Sequence, residues 1–246
     1  MVIKLLLKLT LPMVELISYR DKINSQNIVE SLKISCKEES SVGDDAMSLP
    51  FQKINCDDST TNSRRLAINI RISPFTSNFS NKVQVIEDLI NTFSKEHGYR
   101  IDFFIFETCR PWEKDLVKKI IEENKIKNYK IYQTEDPRIA LAQMEGCDLA
   151  LGISYHFIVF ALKLGIPCIG IYSGEYYKSK MLGLLGWYKK SEWAVNIDNI
   201  KSNELINVSL RLIKNKNKSA DGLIRVSEQL SISSSKAITK TLSLLN

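Results

Sequence analysis

The sequence predicts an α/β fold: a parallel Rossmann-like sheet flanked by helices, with a smaller partial α/β lobe ahead of it. Three observations predict it. From Leu66 onward, short apolar runs alternate with amphipathic stretches of helical length, the rhythm of βα units feeding one parallel sheet. The stretch 145–172, EGCDLALGISYHFIVFALKLGIPCIGIY, parses as strand, turn, helix, loop, strand, a complete βαβ crossover. Residues 51–65 are polar, with Ser59 to Ser63 free of apolar side chains, which suits a linker between two lobes.

Taken in order, MVIKLLLKLTLPMVELI begins like a signal peptide, but Lys8 and Pro12 interrupt the apolar run and Glu15 follows without a small-residue cleavage site. It is too short to span a bilayer. It reads as a helix packing on the domain and leading into a strand at Val14 to Ser18. A polar turn near Asn24 and Ser25 then opens a short helix through Ile28, Val29 and Leu32. A loop follows, then Gly43-Asp44-Asp45-Ala46. Beyond the linker come a strand at Leu66 to Ile72, a helix at Lys82 to His97 stopped by Gly98, and a strand at Ile101 to Phe106. A helix at Trp112 to Asn124 and a short strand at Tyr129 to Tyr132 follow. Asp136 caps a helix that has Pro137 in its first position. The βαβ unit then gives a strand at Asp148 to Ile153, a helix at His156 to Leu164 closed by Gly165 and Pro167, and a strand at Ile169 to Tyr172. A helix at Tyr176 to Leu185, a strand at Trp193 to Ile197 and a helix at Asn203 to Lys214 complete the alternation. Asp221 to Leu245 reads as helical. The expected organisation is a partial lobe at 1–50, a linker at 51–65, a Rossmann-like domain at 66–215, and a helical segment at 216–246 placed to cross back to the first lobe.

Composition narrows the function classes. Apolar residues make up 44% and charged residues 25% of the 246 residues, the profile of an ordinary globular protein. The formal net charge is +6; its lysines are spread over helix faces and loops, and no aromatic-plus-basic signature of a nucleic-acid module occurs. The five cysteines, Cys36, Cys56, Cys109, Cys147 and Cys168, are odd in number and widely spaced. That argues against a disulfide framework or structural zinc site and for reduced thiols in the cytoplasm. Cys147 and Cys168 lie in apolar runs and read as packing groups.

The chemistry concentrates at Ser154, Tyr155 and His156, between a strand and a helix. In open α/β sheets ligands bind outside the carboxyl ends of strands, and a helix start there presents free N–H groups and a positive dipole end. A hydroxyl, a phenol and an imidazole at that junction suit an anionic ligand. The same pattern also describes a buried βαβ unit whose imidazole is hydrogen-bonded in the core. Arg71 ends its own strand on the same side; it can grip phosphate or carboxylate through two parallel hydrogen bonds, or stand exposed at the sheet edge. Lys178 and Lys180, after the strand at Tyr172, reach the ligand face or simply begin a helix.

The stretch around His156 resembles the polysaccharide pyruvyl transferase family. Asp148, His156, Phe160, Ala161, Gly165, Ile166, Pro167 and Gly170 fit its pattern of aspartate, apolar strand, histidine-bearing helix start and Gly-x-Pro turn. Earlier, Arg20, Asp21, Ser25, Gly43, Asp44 and Ala46 echo a family strand end, capped helix and Gly-Asp segment, with Asp45 where proline is common. The family's arginine two residues before the histidine falls on Ser154. The resemblance implies the second lobe of a two-lobed GT-B-like fold and transfer of a pyruvyl group from phosphoenolpyruvate to a sugar of a cell-surface polysaccharide. His156 would be the catalytic acid or phosphate ligand. Arg71, Ser154, Tyr155, Lys178 and Lys180 would bind the donor. Phosphoenolpyruvate serves as co-substrate, with no cofactor, metal or covalent nucleophile expected. The acceptor would be a glycan or lipid-linked sugar approaching from the first lobe, with peripheral contact to a membrane surface and no nucleic acid. Only about 50 residues precede the linker, too few for a full mononucleotide-binding half, so the resemblance implies an N-terminally shortened relative. With serine at 154 and a short first lobe, donor binding with weak or absent transfer is expected. Two other readings stay open: a two-lobed glycosyltransferase using a nucleotide-sugar, and a non-catalytic binding remnant.

Overall fold

The computed structural model describes residues 2–51, 64–71, 83–107 and 111–244. Most of the expected linker, together with Cys56 and Cys109, lies outside the described residues.

The first part of the chain runs α1 (Val2–Thr10), β1 (Ile17–Tyr19), α2 (Asn27–Leu32) and β2 (Glu39–Ser41). β1 and β2 pair in parallel as a two-stranded sheet. The second part runs β3 (Arg65–Asn69), α3 (Val83–Asn91), β4 (Arg100–Ile105), α4 (Trp112–Glu123), β5 (Tyr129–Gln133), α5 (Pro137–Met144) and β6 (Leu149–Gly152). It continues through α6 (Tyr155–Lys163), β7 (Cys168–Tyr172), α7 (Gly174–Trp187), β8 (Ala194–Asn196), α8 (Ser202–Lys214) and α9 (Lys216–Ser243). Its six strands form one sheet in the order β5-β4-β3-β6-β7-β8, and every pairing is parallel.

That order follows from the sequence. Every residue of β4, RIDFFI, is buried, as a strand covered by helices on both faces must be. α3 and α4 turn apolar stripes inward through Ile86, Leu89 and Ile90 and through Val117 and Ile120. Asp136 caps α5 by accepting from Arg138 N–H at 2.9 Å, with Pro137 in the first turn. At the amino ends of the strands, Asp102 is fully buried between two guanidinium groups: Arg65 Nε and Arg100 Nε each donate to it at 2.7 Å. Arg65 also donates to the carbonyls of Gln143 and Glu145, closing the carboxyl end of α5 onto the sheet.

The topology fixes where a ligand belongs. From β3 the chain builds outward through β4 and β5, then returns to the other side of β3 and builds outward through β6, β7 and β8. The direction reverses between β3 and β6, which makes the carboxyl end of that pair the topological switch point where open α/β sheets bind ligands. Asn69 stands opposite Gly152 in this pair. Gly152 is small for a reason: a Cβ there would stand 2.8 Å from Phe157 Cε1, so glycine lets α6 close over the strand end.

Several expectations are corrected. α1 does not pack on the domain: Ile3, Leu5, Leu6 and Leu9 are all exposed. β2 occupies what reads as loop, because Glu39-Ser40-Ser41 has no apolar alternation. The helix after β3 is α-helical only to Asn91 and finishes as a π-helical turn, Thr92–Glu96. α7 begins earlier than the sequence suggests, at Gly174, and α9 begins at Lys216, the expected start of the helical segment though ahead of the helix read from Asp221. α9 spans both sheets: Ser227 Oγ donates to Leu162 O, Ser234 Oγ donates to Asp45, and Lys240 pairs with Glu38. No described helix is long and apolar enough to cross a membrane.

Candidate functional site

Ser154 sits at the N-cap of α6 with extended backbone, φ −71° and ψ 129°. Asn69, fully buried at the end of β3, holds this junction. Its Oδ1 accepts from Ser154 N–H at 3.0 Å while its Nδ2 donates to Phe104 O at 2.9 Å. One side chain thus ties β3, β4 and the start of α6 together. With its N–H taken by Asn69, Ser154 keeps a buried hydroxyl that has no partner among the described residues. The first-turn N–H groups of α6 have no acceptor within the helix either. A buried free hydroxyl beside a helix start is a place for a ligand oxygen.

Tyr155 and His156 diverge from there. The Tyr155 ring lies under Arg20, with the guanidinium 4.9 Å from the ring centre. Burial pushes its phenol well above the ordinary range, Asp44 adds to the rise and Arg20 opposes it. The phenol is therefore a hydrogen-bond donor, not a base. His156 points out, with 61% of its side chain exposed and Nε2 3.8 Å from Asp44 Oδ1. Its ring is the common wall of two clefts. One, of about 350 Å³, is apolar and lined by Leu49, Phe106, Pro137, Ala140 and Phe160, with Thr134 and Glu135 at its edge. The other, of about 650 Å³, lies between the two-stranded sheet, α6 and α9; Ser18, Arg20, Asp44, Asp45, Ser234 and Thr241 give it polar groups, and Val42, Ala46, Ala237 and Ile238 an apolar part.

Arg71 follows β3 at the same end of the sheet. It is held by two carboxylates, Glu107 and Glu113, each at 3.6 Å. Glu113 is buried and accepts from the N–H groups of Phe106 and Glu107. Burial raises the pKa of its carboxyl, against the opposing effect of those N–H groups and Arg71. The lysines stand apart, on α7 after β7. Lys178 pairs with Glu175 at 3.0 Å, and the Lys180 ammonium lies 4.4 Å from the Tyr176 ring centre. The structure therefore gathers Ser154, Tyr155 and His156 on one turn, puts Arg71 at the neighbouring strand end, and satisfies Lys178 and Lys180 within their own helix.

Sequence reasoning missed Asn69, Glu113 and the partnership of Arg20 with Tyr155. Asn69 left a trace, an amide inside the apolar run LAINI. Burial pushes the Cys147 thiol up to about 12 and raises Cys168 as well, so both are inert packing groups. Among the described residues no three His, Cys, Asp or Glu side chains gather where a metal could be held.

Comparison with known proteins bears on both fold and family. A family model described as polysaccharide pyruvyl transferase matches residues 2–175. No curated protein matches the sequence. Among solved structures, the chain is similar to UDP-GlcNAc 2-epimerase from Neisseria meningitidis bound to UDP-GlcNAc. The TM-score is 0.67 at 16% identity, over 97% of this chain and 63% of that one. It is also similar to the Methanocaldococcus jannaschii UDP-GlcNAc 2-epimerase in complex with UDP-GlcNAc and UDP, with a TM-score of 0.57 at 15% identity, over 89% and 62%. The glycotransferase of kitacinnamycin gives 0.59 at 10%, over 93% and 55%. At these identities the likeness is one of fold, a GT-B-like arrangement, and the chain spans little more than half the length of these structures.

Proposed function

Because the chain belongs to the polysaccharide pyruvyl transferase family, we propose that it binds phosphoenolpyruvate at the start of α6 and a glycan in the larger cleft beside it, which carries Asp44 and Asp45. The observation that carries this reading is the position of His156. It stands at the switch point of the sheet, exposed, as the wall shared by two clefts. In the proposed reaction an acid protonates the donor's methylene carbon and a sugar hydroxyl adds to the adjacent carbon. Phosphate then leaves, and a second hydroxyl closes the ketal. The two hydroxyl protons end on the new methyl group and the departing phosphate. His156 is the acid in this scheme. Ser154 Oγ and the first-turn N–H groups of α6 take donor oxygens, and Arg71 takes the phosphate or carboxylate. Sugar hydroxyls donate to Asp44 and Asp45, which suit a neutral polyol better than an anion.

The same electrostatics support slow transfer. Arg71 is already engaged by Glu107 and Glu113, Lys178 by Glu175, and serine occupies position 154. Losing one charge-assisted hydrogen bond to an anion costs about 1.5–3 kcal/mol, roughly ten- to a hundredfold in affinity. The test is calorimetric titration of phosphoenolpyruvate into the wild-type chain and into Ser154→Arg and His156→Ala variants. Ser154→Arg is expected to bind about tenfold tighter and His156→Ala weaker. Equal affinity in all three would remove the anion site from this junction. A nucleotide-sugar donor is the second reading, favoured by the UDP-GlcNAc bound in the Neisseria meningitidis epimerase. Tighter binding of UDP-GlcNAc than of phosphoenolpyruvate would establish it.

A further inference from the structure

A third cleft, with a cationic rim, lies at the other end of the sheet. It measures about 630 Å³ and opens between the end of α7, the segment 188–193, the last turn of α8 and the first turns of α9. Trp193, which lines it, comes immediately before β8. Lys216, on the first turn of α9, pairs with Asp148 just ahead of β6. The cleft therefore faces the amino ends of the strands, whereas His156 stands beyond their carboxyl ends.

Its lining is one-sided in charge. Lys189, Lys190, Arg211 and Lys218 contribute to its walls, and no aspartate or glutamate does. Glu192 and Asp221 are close in sequence but are not among its lining residues. Among the described residues none of the four cations forms an ion pair with a carboxylate; Lys190 instead lies over the Trp193 ring, 5.3 Å from its centre. By contrast, Arg20 in the larger His156 cleft has the Tyr155 ring as a partner, and Arg71 at the end of β3 has two glutamates. The floor is apolar, with Leu212, Leu223 and Trp193 buried beneath the charged rim. Four cations held around one concavity repel one another, and a bound polyanion relieves that repulsion. Arginine adds a planar fork suited to phosphate oxygens. A hydrocarbon floor under a cationic rim selects a ligand that carries its charge on an organic body.

We propose that this cleft binds an organic diphosphate, with the phosphates on Lys189, Lys190, Arg211 and Lys218 and the organic part on the floor of Leu212, Leu223 and Trp193. This site is separate from that of His156 and does not depend on what His156 does. The same paired-phosphate chemistry is offered by free pyrophosphate, so both are tested. ADP, pyrophosphate and adenosine are titrated calorimetrically into the full chain at physiological salt. The proteins are wild type, an Arg211→Gln/Lys218→Gln variant, a His156→Ala variant, and a Lys114→Gln/Lys118→Gln control on the outer face of α4. All five substituted positions are polar, so thermal melts are expected to match wild type.

ADP is expected to bind at one saturable site, more tightly than pyrophosphate, and adenosine not to bind measurably. Arg211→Gln/Lys218→Gln should weaken ADP about tenfold or more, with His156→Ala and the α4 control unchanged. Three results overturn the proposal. If the α4 control weakens ADP as much as Arg211→Gln/Lys218→Gln does, the effect is one of net charge. If His156→Ala abolishes binding, the anion goes to α6. If pyrophosphate binds as well as ADP, the floor takes no part and the ligand is not an organic diphosphate.

Discussion

The two sheets of this molecule are built from the same kind of unit and finish in different states. In the six-stranded sheet, β3, β4, β6 and β7 are buried almost throughout, and Leu66, Ile68, Ile101, Phe103, Leu149, Leu151 and Ile169 lose all contact with solvent. In the two-stranded sheet only Tyr19 of six strand residues is buried. The elements before and around it leave Ile3, Leu5, Leu6, Leu9, Met13, Ile23 and Ile28 in solvent. A two-stranded sheet has too little apolar face to stand alone. This one is held by what it touches in the larger sheet's helices. Asn24 donates to Ser179 O on α7, Trp187 Nε1 donates to Arg20 O, and Lys163 Nζ on α6 donates to Met47 O. The difference teaches that order in the first part is borrowed from α6, α7 and α9, while the six-stranded sheet supplies its own.

The largest expected effect strikes the self-sufficient sheet. Asp102→Asn leaves two guanidinium groups, Arg65 and Arg100, facing one another in the interior with their charge uncompensated. Breaking a buried ion pair by removing one partner costs about 3–5 kcal/mol. Chemical denaturation should show that loss in a single transition carrying both sheets. If the loss stays below about 1 kcal/mol, the interior tolerates those charges as exposed ones are tolerated, and the contrast in burial between the two sheets has little energetic meaning.

The next effect strikes the joint. Met47, in the short 3₁₀ turn Asp45–Ser48, is fully buried and belongs to the large core although it comes from the first part of the chain. Its sulfur lies 3.5 Å from the Tyr188 hydroxyl. Met47→Ala should cost about 2–5 kcal/mol. Hydrogen exchange should rise in β1 and β2 before it rises in β4 or β6, because the anchor is lost while the six-stranded sheet keeps its own packing. Uniform exchange across both sheets would make them one cooperative unit and end the distinction.

How far the sequence could be read follows the same contrast. β4 was legible to within a residue, and the cap of α5 by Asp136 to the residue, because local pattern and tertiary burial agree there. β2 was not legible, since Glu39-Ser40-Ser41 pairs with a single neighbour and has no buried face to impose an apolar period. α1 was read correctly as a helix and wrongly as packed; an apolar composition reports that a face exists, not what covers it. At the site, Ser154, Tyr155 and His156 stood out because they are contiguous and interrupt an apolar run. Asn69 and Glu113 did not, because their partners Ser154 and Arg71 lie 85 and 42 residues away in the chain, and no local period encodes such a pair.

The smallest expected effect tests that misreading directly. On a helical projection Ile3, Leu5, Leu6 and Leu9 share one side of α1 and Lys4 and Lys8 the other. Ile3 is 74% and Leu9 62% exposed. An apolar side chain in solvent gains little on folding, and surface substitutions away from special features usually stay within about 0.5 kcal/mol. Leu5→Ser combined with Leu6→Ser should therefore leave the denaturation midpoint of the dilute chain nearly unchanged, in contrast to Met47→Ala. The comparison is sharpened by sedimentation at low and high protein concentration. A covered face would show itself twice: the double variant would lose stability by 2 kcal/mol or more, about the worth of burying one leucine, and the wild type would self-associate where the variant does not. Without either result, α1 contributes apolar surface to solvent and nothing to the stability of the fold, which in the first part of the chain then rests on anchors such as Met47.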